Sequence, residues 1–336
     1  MTRTRNVGIL FIVKVEVKDA ERRLGATRYR RHMLSEIDRP KGKRPGSKGK
    51  TKVVTVDGGQ VKRRSDSLAT EEPLEIRLLA GGERQNVTRN VAVTMRTPGA
   101  DFELAAGFLF GEGILKSRDD LLRMSYCTEA EQRYNVVNVA LRGEMPDVAR
   151  LERHFTTTSA CGVCGKASLE SLALQACPLP APTFSVTPDV ITSLPDKLRQ
   201  AQGLFEATGG LHAAALFTKT GELLALREDV GRHNALDKLV GWALLEGLLP
   251  LSEHIVLLSG RASFELLQKS LTAGVPLVCA VSAPSSLAVS VAHNFNLTLV
   301  GFLRGERFNI YSGEARINLS GAERRDEHIH SSAQAR

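Results

Sequence analysis

From Val53 onward the chain alternates apolar and polar stretches at the lengths that strands and helices need. Leu74–Leu79 and Val91–Met95 are short apolar-rich runs, which predicts two strands. Past the turn Thr97-Pro98-Gly99, the stretch Asp101–Leu109 places Phe102, Leu104, Ala105, Ala106 and Leu109 on one wide face, which predicts a helix. Asn135–Leu141 predicts another strand. The second half has a clearer rhythm. Leu211–Thr218 and Leu223–Leu226 predict paired strands around the turn Lys219-Thr220-Gly221-Glu222, and the apolar run Asn234–Leu248 predicts a helix. Ile255–Leu258, Leu277–Val281 and Leu297–Phe302 then alternate with helical stretches near Ser263–Ala273 and Ser285–Ala292. That alternation implies crossover connections and a parallel sheet, so the fold class is α/β.

The first 52 residues stand apart. They hold 16 Lys+Arg against 5 Asp+Glu, a local balance of +11 against +8 for the whole chain. Residues 53–336 therefore carry a net −3, and the body shows no basic excess that would point to nucleic acid. Arg39–Lys52 reads RPKGKRPGSKGKTK, which holds too little apolar area to offset its ordering entropy. The chain is accordingly divided into a basic disordered extension (1–52), an α+β region (53–156), a core (157–320) and a disordered tail (321–336). No apolar run is long enough to span a membrane. Val7–Val13 is apolar behind Arg3 and Arg5, but Lys14, Glu16 and Lys18 follow at once without a small-residue cleavage site, so export is not expected. Five cysteines, only two of them close together, do not form a disulfide framework and fit a reducing cytoplasm.

The strand ends and one loop carry the candidate chemistry. In open parallel sheets ligands sit beyond the carboxyl ends of the strands. Here those ends read Ser259-Gly260-Arg261, Ser282-Ala283-Pro284 and Phe302-Leu303-Arg304-Gly305-Glu306-Arg307. Arginine forks and helix amino ends suit phosphate, so a phosphorylated ligand is expected, against the simpler reading that Arg261 pairs with Glu265. Glu228–Lys238 is dense in polar groups. Within it Asn234 reads as a helix cap with Asp237 in the first turn, and His233 as either an acid/base group or a structural histidine. The sharpest feature is Ser159-Ala160-Cys161-Gly162-Val163-Cys164-Gly165-Lys166. Glycines permit a tight loop, while Lys166 and a following helix favour the thiolate. A thiolate accepts sulfur from a persulfide, and a second cysteine resolves the product. Zinc binding would need further ligands, such as Cys127, Cys177 or His154, and no second Cys-x-x-Cys exists. No metal site is expected.

Together with Ser259–Glu265, Ala280–Pro284, Leu299–Arg304 and Leu104–Leu109, the Cys161–Gly165 and Glu228–Lys238 segments closely resemble the FdhD family of formate dehydrogenase accessory sulfurtransferases. The likeness runs from about Ser67 to Asn318 and leaves the basic extension outside it. The resemblance implies a mixed sheet similar to that of cytidine deaminases, with helices on both faces and without the deaminase zinc. It implies a persulfide on Cys161, with Cys164 assisting. Sulfur would come from a cysteine desulfurase and pass to molybdenum bis(molybdopterin guanine dinucleotide), bound as substrate, before that cofactor enters formate dehydrogenase. The cofactor-contacting segment maps onto Phe302, Leu303, Arg304, Gly305, Glu306 and Arg307, with Arg261 nearby. A non-catalytic chaperone that binds and delivers the cofactor is the rival reading. A homodimer is possible, with Ala243–Leu249 as one apolar face.

Overall fold

The computed structural model of the chain describes residues 44–80, 87–127, 133–146 and 184–320. A hairpin comes first, β1 (Lys48–Asp57) and β2 (Gln60–Ala69), turning at Gly58 and Gly59, both at positive φ. Next come β3 (Glu72–Ala80), β4 (Val87–Arg96), α1 (Asp101–Gly111), β5 (Leu121–Tyr126) and β6 (Val136–Leu141). The remainder runs α2 (Pro188–Ala201), α3 (Gly203–Thr208), β7 (His212–Thr218), β8 (Leu223–Asp229) and α4 (Arg232–Leu245). It ends with β9 (His254–Leu258), α5 (Phe264–Thr272), β10 (Leu277–Ala280), α6 (Ser286–Asn294), β11 (Thr298–Arg304) and β12 (Arg307–Ser312).

Two larger sheets result. The smaller has the order β4-β3-β6-β5, with β3 and β6 parallel and both outer pairs antiparallel. The larger has the order β12-β11-β10-β9-β7-β8. Its central strands β9, β10 and β11 are parallel, as the alternation of strand and helix requires, and the β7–β8 hairpin and β12 close its sides antiparallel. One face packs on α2 through Ile191, Leu194 and Leu198, and the other packs on α4, α5 and α6. The fold is thus mixed α/β, with helices on both faces of the main sheet.

Layering follows from burial. Leu74, Ile76 and Leu78 alternate along β3 at 0% exposure and meet α1, which is buried on nearly all sides. α1 in turn lies against α4, and the two backbones touch. A Cβ on Gly107 would stand 1.9 Å from the Asp237 carbonyl oxygen, and one on Gly241 would stand 1.8 Å from that of Glu103. Only glycine at both positions allows this approach.

Two expectations change. β1 takes in Lys48–Lys52, so order begins inside the stretch expected to be disordered, because cross-strand pairing with Ser65–Ala69 supplies what its own composition lacks. The proposed dimer face Ala243–Leu249 is used internally. Ala243 and Leu244 are buried, and Leu245, Leu248 and Leu249 pack against the same core.

Gly241→Ala should lower the thermal midpoint, because displacing a backbone carbonyl costs more than the roughly 1 kcal/mol of helix propensity alanine adds. Gly203→Ala, at the start of α3 where a Cβ meets nothing within 4 Å, should leave the midpoint unlowered. Equal midpoints for both variants would show that α1 and α4 are not held by this contact.

Candidate functional site

The polar segment between β8 and α4 closes around one buried carboxylate. Asp229 is fully buried, and its Oδ2 accepts from the Thr97 amide at 3.1 Å and pairs with Lys238 Nζ at 2.6 Å. Its Oδ1 accepts from the Gly231 amide at 2.8 Å and from Asn234 Nδ2 at 3.1 Å. Lys238 also donates to the carbonyls of Thr97 and Glu228, and Asn234 donates to that of Met95. The bonds to Met95 and Thr97 reach across to the end of β4, the others close within the β8–α4 segment, and together they satisfy the demand that buried charges be paired and hydrogen-bonded. The cap residue of α4 is Gly231, so Asn234 clamps two sheets together rather than capping the helix. Asp237 is likewise interior, paired with Lys269 of α5 at 2.8 Å. Burial pushes the Asp237 carboxyl up, and the Lys269 charge opposes that push.

The clamp sets Arg232 and His233 at the edge where the parallel strands end. β7 runs antiparallel to β9, with Ala214 opposite Leu258, so the first residue of β7, His212, meets the turn after β9. Its ring packs on Gly260, where a Cβ would lie 3.3 Å from Nδ1. Ser259 Oγ accepts from the Ala213 amide at 2.8 Å. His233 Nε2 lies 2.8 Å from Glu265 Oε2 and 3.3 Å from Ser263 Oγ. That bond holds the Glu265 carboxyl below its ordinary range. Burial lowers His212, and the positive charges of Arg232, His233 and Arg261 lower it further, with Asp229 opposing.

Backbone hydrogen bonds stitch the three strand ends together. The Ser282 amide donates to the Gly260 carbonyl at 3.3 Å, and the Phe302 amide donates to the Ser282 carbonyl at 3.2 Å. Gly301 fits because a Cβ there would meet Pro284 and Tyr311 at 2.9 Å. Phe302 adopts φ 52°, a left-handed backbone that bulky residues rarely take, and its ring is 40% exposed. Arg304 faces Arg307 across the turn Gly305-Glu306, and all four residues are exposed.

Of the residues singled out from the sequence, Arg261, Phe302, Arg304, Gly305, Glu306 and Arg307 lie at this edge. Leu303 does not face it: its side chain is fully buried in the core beneath the sheet, since strand alternation turns it inward. Glu265 pairs with His233 rather than with Arg261. Cys161, Cys164, Lys166, His154 and Cys177 lie outside the described residues. Cys127 is buried, with Arg77 Nη1 3.9 Å from its sulfur, and among the described residues no three His, Cys, Asp or Glu side chains gather as metal ligands. Among those residues, too, no helix is long and apolar enough to cross a membrane. Arg232 and His233, from the polar Glu228–Lys238 segment, lie at the edge too, and His212 joins it unannounced. His212 opens an apolar strand, and only the β7–β9 register reveals its neighbour.

Residues 69–318 match the FdhD/NarQ family. The chain is similar to the sulfur carrier protein FdhD of Streptomyces avermitilis, 53% identical over 279 residues that cover 81% of this chain and 96% of the relative. The sulfur carrier protein FdhD of Mycobacterium tuberculosis is 50% identical over 275 residues, 79% of this chain and 97% of its own. That of the more distant Sulfurisphaera tokodaii is 45% identical over 252 residues, 75% of this chain and 92% of its own. Among solved structures, a Desulfotalea psychrophila protein provisionally assigned as a formate dehydrogenase accessory protein aligns with TM-score 0.62 at 25% identity. The alignment covers 80% of this chain and 99% of that one.

Lys238→Met should destabilise the protein by about 3–5 kcal/mol, because it leaves Asp229 buried without its cation. Denaturant unfolding measures this, and a loss within error of zero would mean that the clamp is not structural. The sign of the pH dependence follows from His212 and from His254, which burial also lowers. Below the ordinary histidine value of about 6.5 the unfolded chain takes up protons that the folded one refuses, so stability falls as pH drops through that range. His212→Gln should flatten part of that slope. An unchanged slope would contradict the lowering of His212 by its half-buried, cation-rich setting.

Proposed function

Because the chain belongs to the FdhD/NarQ family, we propose that it is a sulfur carrier serving formate dehydrogenase, holding sulfur as a persulfide on Cys161. The observation that carries this reading is the 53% identity, over 81% of the chain, with a sulfur carrier protein. The donor is a cysteine desulfurase. The Cys161 thiolate attacks the outer sulfur of the donor persulfide, the donor S–S bond breaks, and the donor cysteine leaves as a thiolate. Lys166, adjoining the loop, favours the ionised thiol. The Cys164 thiolate then attacks the inner sulfur of the Cys161 persulfide. The outer sulfur leaves as hydrosulfide, and a thiol reductant of the cytoplasm reopens the resulting disulfide.

The acceptor is molybdenum bis(molybdopterin guanine dinucleotide), bound as substrate at the carboxyl edge of the main sheet. Several features of that edge support the assignment. Phe302 offers an exposed aromatic face for a guanine, and Arg261, Arg304 and Arg307 offer guanidinium forks to phosphates. Gly305 and Glu306 form the turn that carries the two flanking arginines, while Leu303 anchors this segment from below. We also read the main sheet as deaminase-like, a hairpin followed by parallel strands with helices on both faces.

Mass spectrometry after incubation with a cysteine desulfurase and free cysteine tests the relay. The expected result is a gain of one sulfur atom that disappears in Cys161→Ala. No gain in the unaltered chain would favour a chaperone that delivers the cofactor without moving sulfur, and a gain that persists in Cys161→Ala would reassign the carrier residue.

A further inference from the structure

The β1–β2 hairpin turns apolar side chains outward near its tip. Its cross-strand pairs run without a bulge from Lys48 opposite Ala69 to Asp57 opposite Gln60. Paired residues share a face, so Lys48, Lys50, Lys52 and Arg63 lie together on one side of the ribbon. Val54, Val56 and Val61 continue that same side toward the turn. All of these residues are exposed, the three valines at 56, 69 and 64%. The hairpin's carboxylates, Asp57 and Asp66, both lie on the other side, where Arg64 donates to Asp66 Oδ1 at 3.0 Å.

Strand propensity does not account for the valines. Threonine suits a strand as well, and it stands on the other side at Thr51 and Thr55, which are half-buried. Water would select the reverse arrangement. The ribbon is also held in place, although two strands alone are marginal in water. The Thr70 amide donates to the Ser47 carbonyl at 3.0 Å, Arg44 reaches Asp101 at 3.2 Å, and α3 lies against β2. The family match begins at Ala69, so the hairpin lies outside it.

We propose that this side of the hairpin docks an acidic protein, whose carboxylates meet Lys50, Lys52 and Arg63 and whose apolar notch takes Val54, Val56 and Val61. Lys48, Lys50 and Lys52 stand about 7 Å apart along the strand, so the surface answers a row of carboxylates rather than one. An apolar centre beside a charged rim is the anatomy of a protein interface, and complementary charge speeds the encounter. Other occupants fit less well. Residues 1–43 carry 12 Lys+Arg against 5 Asp+Glu, and a second copy presents the same cations, so neither complements the face. The hairpin has no Phe, Trp or Tyr to anchor at a lipid surface, and its valines gain nothing from the phosphates of a nucleic acid.

Cysteine desulfurase and formate dehydrogenase serve as probes, a choice that rests on the proposed function. Interferometry follows the binding of each to the full chain at about 50 and 300 mM salt. Lys50→Glu, Lys52→Glu and Arg63→Glu combined should slow association with at least one probe about tenfold at low salt, and less at high salt. Val56→Ser with Val61→Ser should instead speed its dissociation about tenfold. The altered side chains are exposed, so both variants should keep the thermal midpoint of the unaltered chain. Unaltered rates for both probes, or no binding of either by the unaltered chain, would overturn the docking face. Binding to phosphatidylglycerol vesicles, or dimerisation, that both variants lose while probe binding holds would overturn it too, in favour of lipid or a second copy. None of these results touches the gain of sulfur on Cys161. Hairpin-dependent binding without that gain would sink the carrier reading alone.

Discussion

A single buried carboxylate, Asp229, decides how the two halves of the described structure meet. A charge without solvent needs a counter-charge and a full set of donors, and the four partners here come from three places in the chain. Lys238 and Asn234 come from α4, Gly231 from the turn, and Thr97 from the end of β4. Satisfying Asp229 therefore fixes the entry of α4, the approach of the smaller sheet and the direction in which Arg232 and His233 leave the turn. The glycine contact between α1 and α4 sets the distance over which this clamp works. Chemistry at the strand edge inherits its geometry from these interior demands.

Much of the architecture was legible where burial imposes a period. β3, β7 and β9 each turn an uninterrupted apolar pattern toward a core, α4 turns one broken by Asn234, Asp237 and Lys238, and the predicted bounds of all four agree with the observed ones to within a few residues. The elements that escaped have identifiable reasons. β2 buries none of its residues fully, so its sequence carries no alternation. In β5 a register shift between Leu121 and Arg123 breaks the two-residue period. α2 carries Pro195 inside a helix whose buried stripe is only Ile191, Leu194 and Leu198. Each signal was overridden locally by something that tertiary pairing tolerates.

The site was half legible for a related reason. Arg261 follows β9 and the Phe302–Arg307 segment lies at the carboxyl end of β11, so the rule for parallel sheets finds them. His212 precedes its strand, and only the antiparallel pairing of β7 with β9 carries it to the same edge. Asn234 illustrates the opposite error, since a capping residue and a buried clamping amide look alike in sequence. They differ only in what lies across from them, here Met95 and Asp229.

The proposed function joins a carrier thiol to a strand edge that binds the cofactor, in the service of formate dehydrogenase. Formate dehydrogenase activity in cells whose only source of this function is the present chain tests that union most directly. Cells given Cys161→Ala, at normal protein level and with an unchanged thermal midpoint, are predicted to lack the activity that cells with the unaltered chain regain. Full activity in the Cys161→Ala cells would contradict it.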